Sequence, residues 1–327
     1  MLTTRFTKLV GCAVPIQQAG MGAASPPELA AAVSEAGGFG ILGTARGGLN
    51  PSTLAALLGR TRELTSRPFG VNFIIRLGSP AAQSPREFIE QAAKACRVVE
   101  FFYTDPSAEF VRIVHALVSW QVGSSDEARK AADVGCDVIV AQGMEAGGHV
   151  RGTVGLVDLL CEVLEAVPEI PVLAACGIGT GRAMAAALAA GADGVRVGTR
   201  FVASEEADAH AVYTDALIAA RAEDSIYTRT FRVGWAEEAP HRVLRCAIEA
   251  AEAAQGATVA NVTNVDGTQA AVPRFASTVA DRTAAGHVGA MALYAGQSVD
   301  AVKRVMPARE IVRELAEEAE KLLRRQH

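Results

Sequence analysis

One histidine stands apart from the other five in this 327-residue sequence. The segment Gln142-Gly-Met-Glu-Ala-Gly-Gly-His149 delivers an imidazole directly after Gly147 and Gly148, on a loop with little side-chain bulk around it. An imidazole titrates near neutral pH and can take up and return a proton, so His149 is the candidate catalytic group. His115, His210, His241, His287 and His327 have no comparable setting and read as structural or solvated. Glu145, on the same loop, is a second candidate base, although loop carboxylates more often cap or pair.

Two glycine segments suit an anion. Gly177-Ile-Gly179-Thr-Gly181 opens a stretch of helical composition. Glycines at a helix start let backbone N–H groups approach a phosphate at the positive end of the helix dipole. Gly198-Thr199 offers a second set of N–H donors and a hydroxyl. A dinucleotide fingerprint is not met: Arg182 takes the place of the third glycine, and no acidic residue closes a strand about 20 residues on.

The elements that must position these groups alternate. Short apolar runs ending in Gly or a polar residue recur near 14–18, 39–43, 69–74, 98–102, 116–121, 137–142, 171–175 and 194–198. Continuous apolar runs are what strands buried on both faces look like. Amphipathic stretches fill the gaps, near 26–36, 51–65, 85–96, 106–115, 123–134, 154–167, 179–190 and 205–222. One joint is repeated three times: Glu35-Ala-Gly37, Asp133-Val-Gly135 and Ala189-Ala-Gly191 each lead into such a run, as a helix C-terminus with glycine at C′ would. Eight βα units make an α/β TIM barrel over 1–222, with function at the C-terminal ends of its strands. After 222 the rhythm changes. Residues 223–290 read as a small helical subdomain, with helices expected at 240–255 and 278–289. Residues 291–327 read as a C-terminal segment whose helix at 308–326 packs back on the barrel through Ile311, Leu315, Ala319 and Leu322.

Composition narrows the class. Half the residues are apolar, and 31 basic and 36 acidic residues are mixed along the chain. With no basic stripe, nucleic acid is not an expected partner. The N-terminus lacks the apolar core of a signal peptide, and no run approaches the roughly 18 apolar residues of a membrane span, so a soluble cytoplasmic protein is expected. Six scattered cysteines show no metal-ligand spacing and read as small buried hydrophobes in a reducing compartment.

Read together, Pro15-Ile-Gln-Gln-Ala-Gly-Met-Gly22, Gly70-Val-Asn-Phe73, Ala141-Gln-Gly-Met-Glu-Ala-Gly-Gly-His149, Ala175-Cys-Gly-Ile-Gly179, Gly198-Thr-Arg-Phe201 and Tyr294-Ala-Gly-Gln-Ser298 resemble the nitronate monooxygenases, formerly 2-nitropropane dioxygenases. The flavin-dependent enoyl-ACP reductase II group is close kin. The resemblance spans nearly the whole chain and implies an FMN-bearing TIM barrel. It places the FMN phosphate on Gly177, Gly179, Gly198 and Thr199. It places the flavin against Gly20, Met21, Gly22 and Asn72, with Gln121, Gln142 and Gly147 nearby, and makes His149 the catalytic base. The implied reaction is oxidative denitrification of alkyl nitronates, such as propionate 3-nitronate, with O₂. The alternative is an NAD(P)H-dependent FMN reductase of enoyl thioesters or quinones, which needs the same cradle. The expected partners are a small-molecule substrate and O₂, and a homo-oligomer is left open. Cys176 departs from the family pattern, which usually has Gly or Ser there. The link between the helix at 106–115 and the strand from 116 is unusually short, which should shift helix packing but leave Gln121 at the strand end.

Overall fold

The structure, a computed structural model, describes residues 2–75, 85–235 and 239–324. The three repeated joints share one geometry. Gly37, Gly135 and Gly191 take left-handed φ values of 90°, 93° and 105°. Each returns its N–H to a carbonyl of the closing turn, Ser34, Ala132 and Leu188, at 3.0 Å. The next N–H reaches further back, from Gly38 to Val33, Cys136 to Ala131 and Ala192 to Ala187. A side chain would strain that φ; glycine adopts it freely, ends the helix and launches the next strand.

After α1 (Arg5–Val10), the strands β1 (Ile16–Gln18), β2 (Gly40–Gly43), β3 (Phe69–Ile74), β4 (Val98–Phe102), β5 (Leu117–Val122) and β6 (Val138–Gln142) alternate with α2 (Pro27–Glu35), α3 (Pro51–Leu64), α4 (Pro85–Ala95), α5 (Ala108–Ile113) and α6 (Ser125–Asp133). A two-residue strand, β7 (Gly148–His149), precedes α7 (Leu156–Ala166), β8 (Val172–Ala175), α8 (Gly181–Ala189) and β9 (Gly194–Val197). The parallel order is β1-β9-β8-β6-β5-β4-β3-β2. The ring closes where Gln18 donates its N–H to the Phe39 carbonyl (3.0 Å) and Phe39 donates to Ile16 (2.8 Å). The chain folds as an eight-stranded TIM barrel, with its strands where the apolar runs place them.

Pairing register sorts the barrel interior into layers. Asn72 pairs with Glu100 and Glu100 with Ser119, all three buried. Val98 lies two residues below Glu100 and so on the same face. It clusters with Phe39, Ile41, Val138 and Leu173, and Phe6 of α1 joins that cluster, its ring 5.9 Å from Phe39. An apolar plug therefore fills one end of the barrel, and polar side chains collect toward the C-terminal end.

Beyond β9 lie α9 (Thr199–Val202) and α10 (Ala211–Ala219), followed by β10 (Ser225–Thr228), β11 (His241–Leu244), α11 (Arg245–Ala253), β12 (Thr258–Thr263), β13 (Gln269–Pro273), β14 (Ala285–Gly286) and α12 (Ala308–Leu323). The helical expectation for 223–290 is thus corrected. α11 is present, but 278–289 holds no α-helix, and the segment contributes to two three-stranded sheets, β10-β11-β7 and β13-β12-β14. Arg/Glu-rich stretches suggested helix; distant ladder partners made strand instead, because β-structure depends on its neighbours more than on local propensity. A second core built on Tyr213, Leu217, Phe231, Val243 and Leu293 spans both expected boundaries, 222 and 290. α12 buries Ile311, Leu315 and Ala319 as their spacing implied.

Candidate active site

The C-terminal ends of the strands open into a cavity of about 1210 Å³ between the barrel and the second core. Ten of the expected site residues line it: Gly20, Met21, Gly22, Gln121, Gln142, Gly147, His149, Gly177, Gly198 and Thr199. Asn72 and Gly179 do not. The short link before β5 leaves Gln121 at the cavity, as expected.

His149 is held by backbone on both sides. Gln142 donates from Nε2 to the His149 carbonyl (2.9 Å) and accepts the Arg151 N–H (3.3 Å). His149 pairs with His241 across β7 and β11, and Val150 donates its N–H to Pro240 (2.9 Å). Buried Arg242 clamps the loop from below, donating to the carbonyls of Met144 (2.7 Å) and Ser225 (2.8 Å). The imidazole itself is half-buried in an aromatic box. Its ring centroid lies 3.5 Å from Trp235, 5.4 Å from His241, 5.6 Å from Tyr294 and 5.9 Å from Tyr103. Such surroundings restrict the ring to a small range of positions at the cavity wall.

Glu145 faces elsewhere. Both carboxylate oxygens accept the Leu156 N–H at the first residue of α7 (3.1 and 3.2 Å), and Oε2 accepts the Cys176 thiol (3.2 Å). It occupies the anion position at a helix start that Gly155, with no side chain, leaves open. Cys176 has φ 112°, the left-handed region that favours glycine. Burial, reinforced by the neighbouring Glu145 carboxylate, pushes its thiol pKa up.

The donor set suits FMN. A Cβ on Gly177 (φ 62°) would meet nothing within 4 Å, and on Gly198 only Ala19 and Met21 at ordinary contact distance. Bare backbone therefore faces the cavity at the ends of β8 and β9, as a phosphate requires. Gly179 also serves packing, since a Cβ there would stand 2.7 Å from Ala301 Cβ and 3.0 Å from the Ser298 carbonyl. Its missing side chain lets the turn Gln297–Ala301 close over the loop. Thr199 Oγ1 accepts the Gly296 N–H (3.0 Å), and Gly147 abuts that same residue, so the Tyr294–Ser298 segment ties the Gly198–Thr199 turn to the histidine loop.

Asn72 lies under Gly20, where a Cβ would come within 2.4 Å of Asn72 Cβ. Its Nδ2 donates to Glu100 Oε1 (2.9 Å), and Glu100 Oε2 pairs with Arg196 Nη1 at 2.6 Å in the barrel interior. Asn72 thus supports the Gly20–Gly22 loop from beneath, and Arg196 carries the pair's positive end to the cavity floor.

Sequence reasoning passed over Trp235, Tyr103, Arg196 and Arg46. Trp235 is one of only two tryptophans, and Tyr103 follows a strand end, so both had a signal. Tyr103 takes φ 76° to bring its ring within 4.9 Å of Trp235.

A glycine-lined barrel mouth facing one boxed histidine defines a TIM-barrel enzyme site. The family model for nitronate monooxygenase matches residues 3–117 and 112–318. The chain belongs to the nitronate monooxygenase family of oxidoreductases. It is 34% identical to the nitronate monooxygenase of Pseudomonas aeruginosa, covering 97% of this chain and 99% of that one. It is also 36% identical to (3aS,4S,5R,7aS)-5-hydroxy-7a-methyl-1-oxo-octahydro-1H-indene-4-carboxyl-CoA dehydrogenase of Rhodococcus jostii over 74% of this chain, a match spanning 66% of that relative's length. Among solved structures, FabK (M276A) from Thermotoga maritima superposes with TM-score 0.78 at 32% identity, covering 100% and 99% of the two chains. Nitroalkane oxidase from Streptomyces ansochromogenes gives 0.75 at 29%, covering 98% and 99%.

Proposed function

We propose that the protein is an FMN-dependent nitronate monooxygenase that oxidatively denitrifies alkyl nitronates, such as propionate 3-nitronate, with O₂. The observation that carries this is the convergence of His149 and the bare glycines 177 and 198 on one cavity. Bound FMN would supply the redox chemistry between substrate and O₂. The chain's own groups do the rest. The backbone at Gly177, Gly198 and Thr199 holds the phosphate. Gly20, Met21 and Gly22 line the ring side, with Gln121 and Gln142 nearby. His149 accepts the α-proton of a neutral nitroalkane, or orients a nitronate that has already lost it. Among the described residues no helix is long and apolar enough to cross a membrane, and all six cysteines are free; we place the enzyme in the cytoplasm.

The Rhodococcus and FabK likenesses favour one second reading. In that reading bound FMN would pass electrons from NAD(P)H to a thioester or quinone held in the same cavity. Two assays on the purified protein decide. O₂ uptake driven by a nitronate alone supports the monooxygenase; rapid anaerobic bleaching of the flavin by NADH or NADPH, with no nitronate-driven O₂ uptake, replaces it with the reductase.

A further inference from the structure

The loop after β2, Gly43-Thr-Ala-Arg-Gly-Gly48, brings a cation to the cavity that none of the roles above uses. Arg46 lines the cavity wall beside the Gly20–Gly22 loop. Its Nη2 donates to the carbonyls of Gly22 (3.3 Å) and Ala23 (3.2 Å), which fixes the guanidinium against that loop. Its Nε is buried with no hydrogen-bond partner, and among the described residues Arg46 forms no ion pair. Burial lowers its pKa, with Asp208, Asp281 and Glu28 opposing from a distance. Asp208 and Asp281 line the same cavity, and each is held by neutral donors. Asp208 Oδ1 accepts the Arg282 N–H (3.1 Å), and Asp281 Oδ1 accepts both the N–H (2.9 Å) and the hydroxyl (2.6 Å) of Thr283.

A half-buried guanidinium with charge to spare favours an anion that completes it. We infer that Arg46 is a substrate-specificity residue that binds a second anionic group, a carboxylate at the far end of a short nitronate. This rests on the nitronate reading of the same cavity. With Nη2 held by two carbonyls and Nε closed off, Nη1 is the donor left to a carboxylate, and a charge-assisted contact of this kind is worth about ten- to a hundredfold in binding.

The test compares propionate 3-nitronate with the nitronate of 1-nitrobutane, which lacks the carboxylate, and separately titrates butyrate as an unreactive carboxylate by calorimetry. In the wild type, kcat/KM favours the carboxylated nitronate. In Arg46→Gln this preference falls at least tenfold, through KM rather than kcat, and butyrate affinity falls by a similar factor. Arg46→Lys, which keeps the charge without the fork, lies between the two. An unchanged preference and unchanged butyrate affinity in Arg46→Gln overturn the inference while leaving the nitronate reading intact. A wild type that oxidises neither nitronate, yet binds butyrate in an Arg46-dependent way, overturns the nitronate reading and retains the anion site. Should Arg46→Gln lose its flavin through the Gly22–Ala23 contacts, Arg46→Lys carries the comparison: an unaltered preference there, with unaltered butyrate affinity, also overturns the inference.

Discussion

His149 and His241 face each other across the antiparallel pair β7–β11, with ring centroids 5.4 Å apart, and the deeper of the two is committed to the fold as a neutral ring. His241 is fully buried; its Nε2 accepts the Phe231 N–H (3.1 Å), which leaves Nδ1 to donate to the Ala239 carbonyl (3.1 Å). The neutral ring satisfies both partners, and a second proton would abolish the acceptor. Burial accordingly lowers the His241 pKa, with the Ala239 carbonyl opposing.

A pH dependence of stability follows. The unfolded chain takes up this proton near pH 6.5, before the folded chain does, so the stabilisation is complete above about 6.5 and declines as pH falls toward the depressed folded value. Thermal unfolding should show Tm falling between pH 7 and 5. His241→Phe should start lower, by about 1–3 kcal/mol for the Phe231 N–H left unsatisfied, and show a flatter slope across that window. Identical slopes would assign the protonation to another group.

Glu145 should behave as a helix cap. Its carboxylate serves the Leu156 N–H and the Cys176 thiol. Glu145→Ala is expected to cost about 0.5–2 kcal/mol of stability, the range for lost N-terminal caps. Glu145→Gln should recover part of it, and the shape of the pH–rate profile should not change in either variant. Loss of one limb of that profile would make Glu145 a proton carrier instead.

How much of the molecule is legible in the sequence depends on distance along the chain. Strands buried on both faces announce themselves as apolar runs, and β4 is readable even with Glu100 inside it. The Gly37, Gly135 and Gly191 joints are readable because the need for positive φ is local. So is the His149 loop. The side chain of Asn72 packs beneath Gly20; alternation tells which residues face inward, but not at which layer the cavity floor lies. The helix dipole accounts for a glycine at 179 but says nothing of Ala301, more than a hundred residues on. The aromatic box is hidden for the same reason, since Tyr103, Trp235 and Tyr294 reach His149 from three separate segments.

Gly177 and Gly179 should therefore fail differently. Gly177→Ala adds a methyl to open cavity space at φ 62°, at a backbone cost on the order of 1 kcal/mol. It is expected to fold, with FMN affinity reduced by crowding of the phosphate. Gly179→Val drives its side chain into Ala301 and Ser298 and should lower Tm or soluble yield first. Flavin content and Tm measured on both variants check this; normal flavin occupancy in Gly177→Ala would move the phosphate elsewhere.

The sharpest test of His149 separates the proton from the anion. A neutral nitroalkane still carries its α-proton, whereas a nitronate has lost it, so a base matters only for the first. General acid–base catalysis contributes about 10²–10⁴-fold. His149→Asn should therefore reduce turnover of the neutral nitroalkane by about that factor, and turnover of the pre-formed nitronate far less. FMN content should stay normal, because the proposed phosphate cradle follows β8 and β9 and the His149 carbonyl keeps its bond to Gln142. Equal losses on both substrates would mean that the ring binds or orients the anion, and no loss on either would reduce His149 to a member of the aromatic box around it.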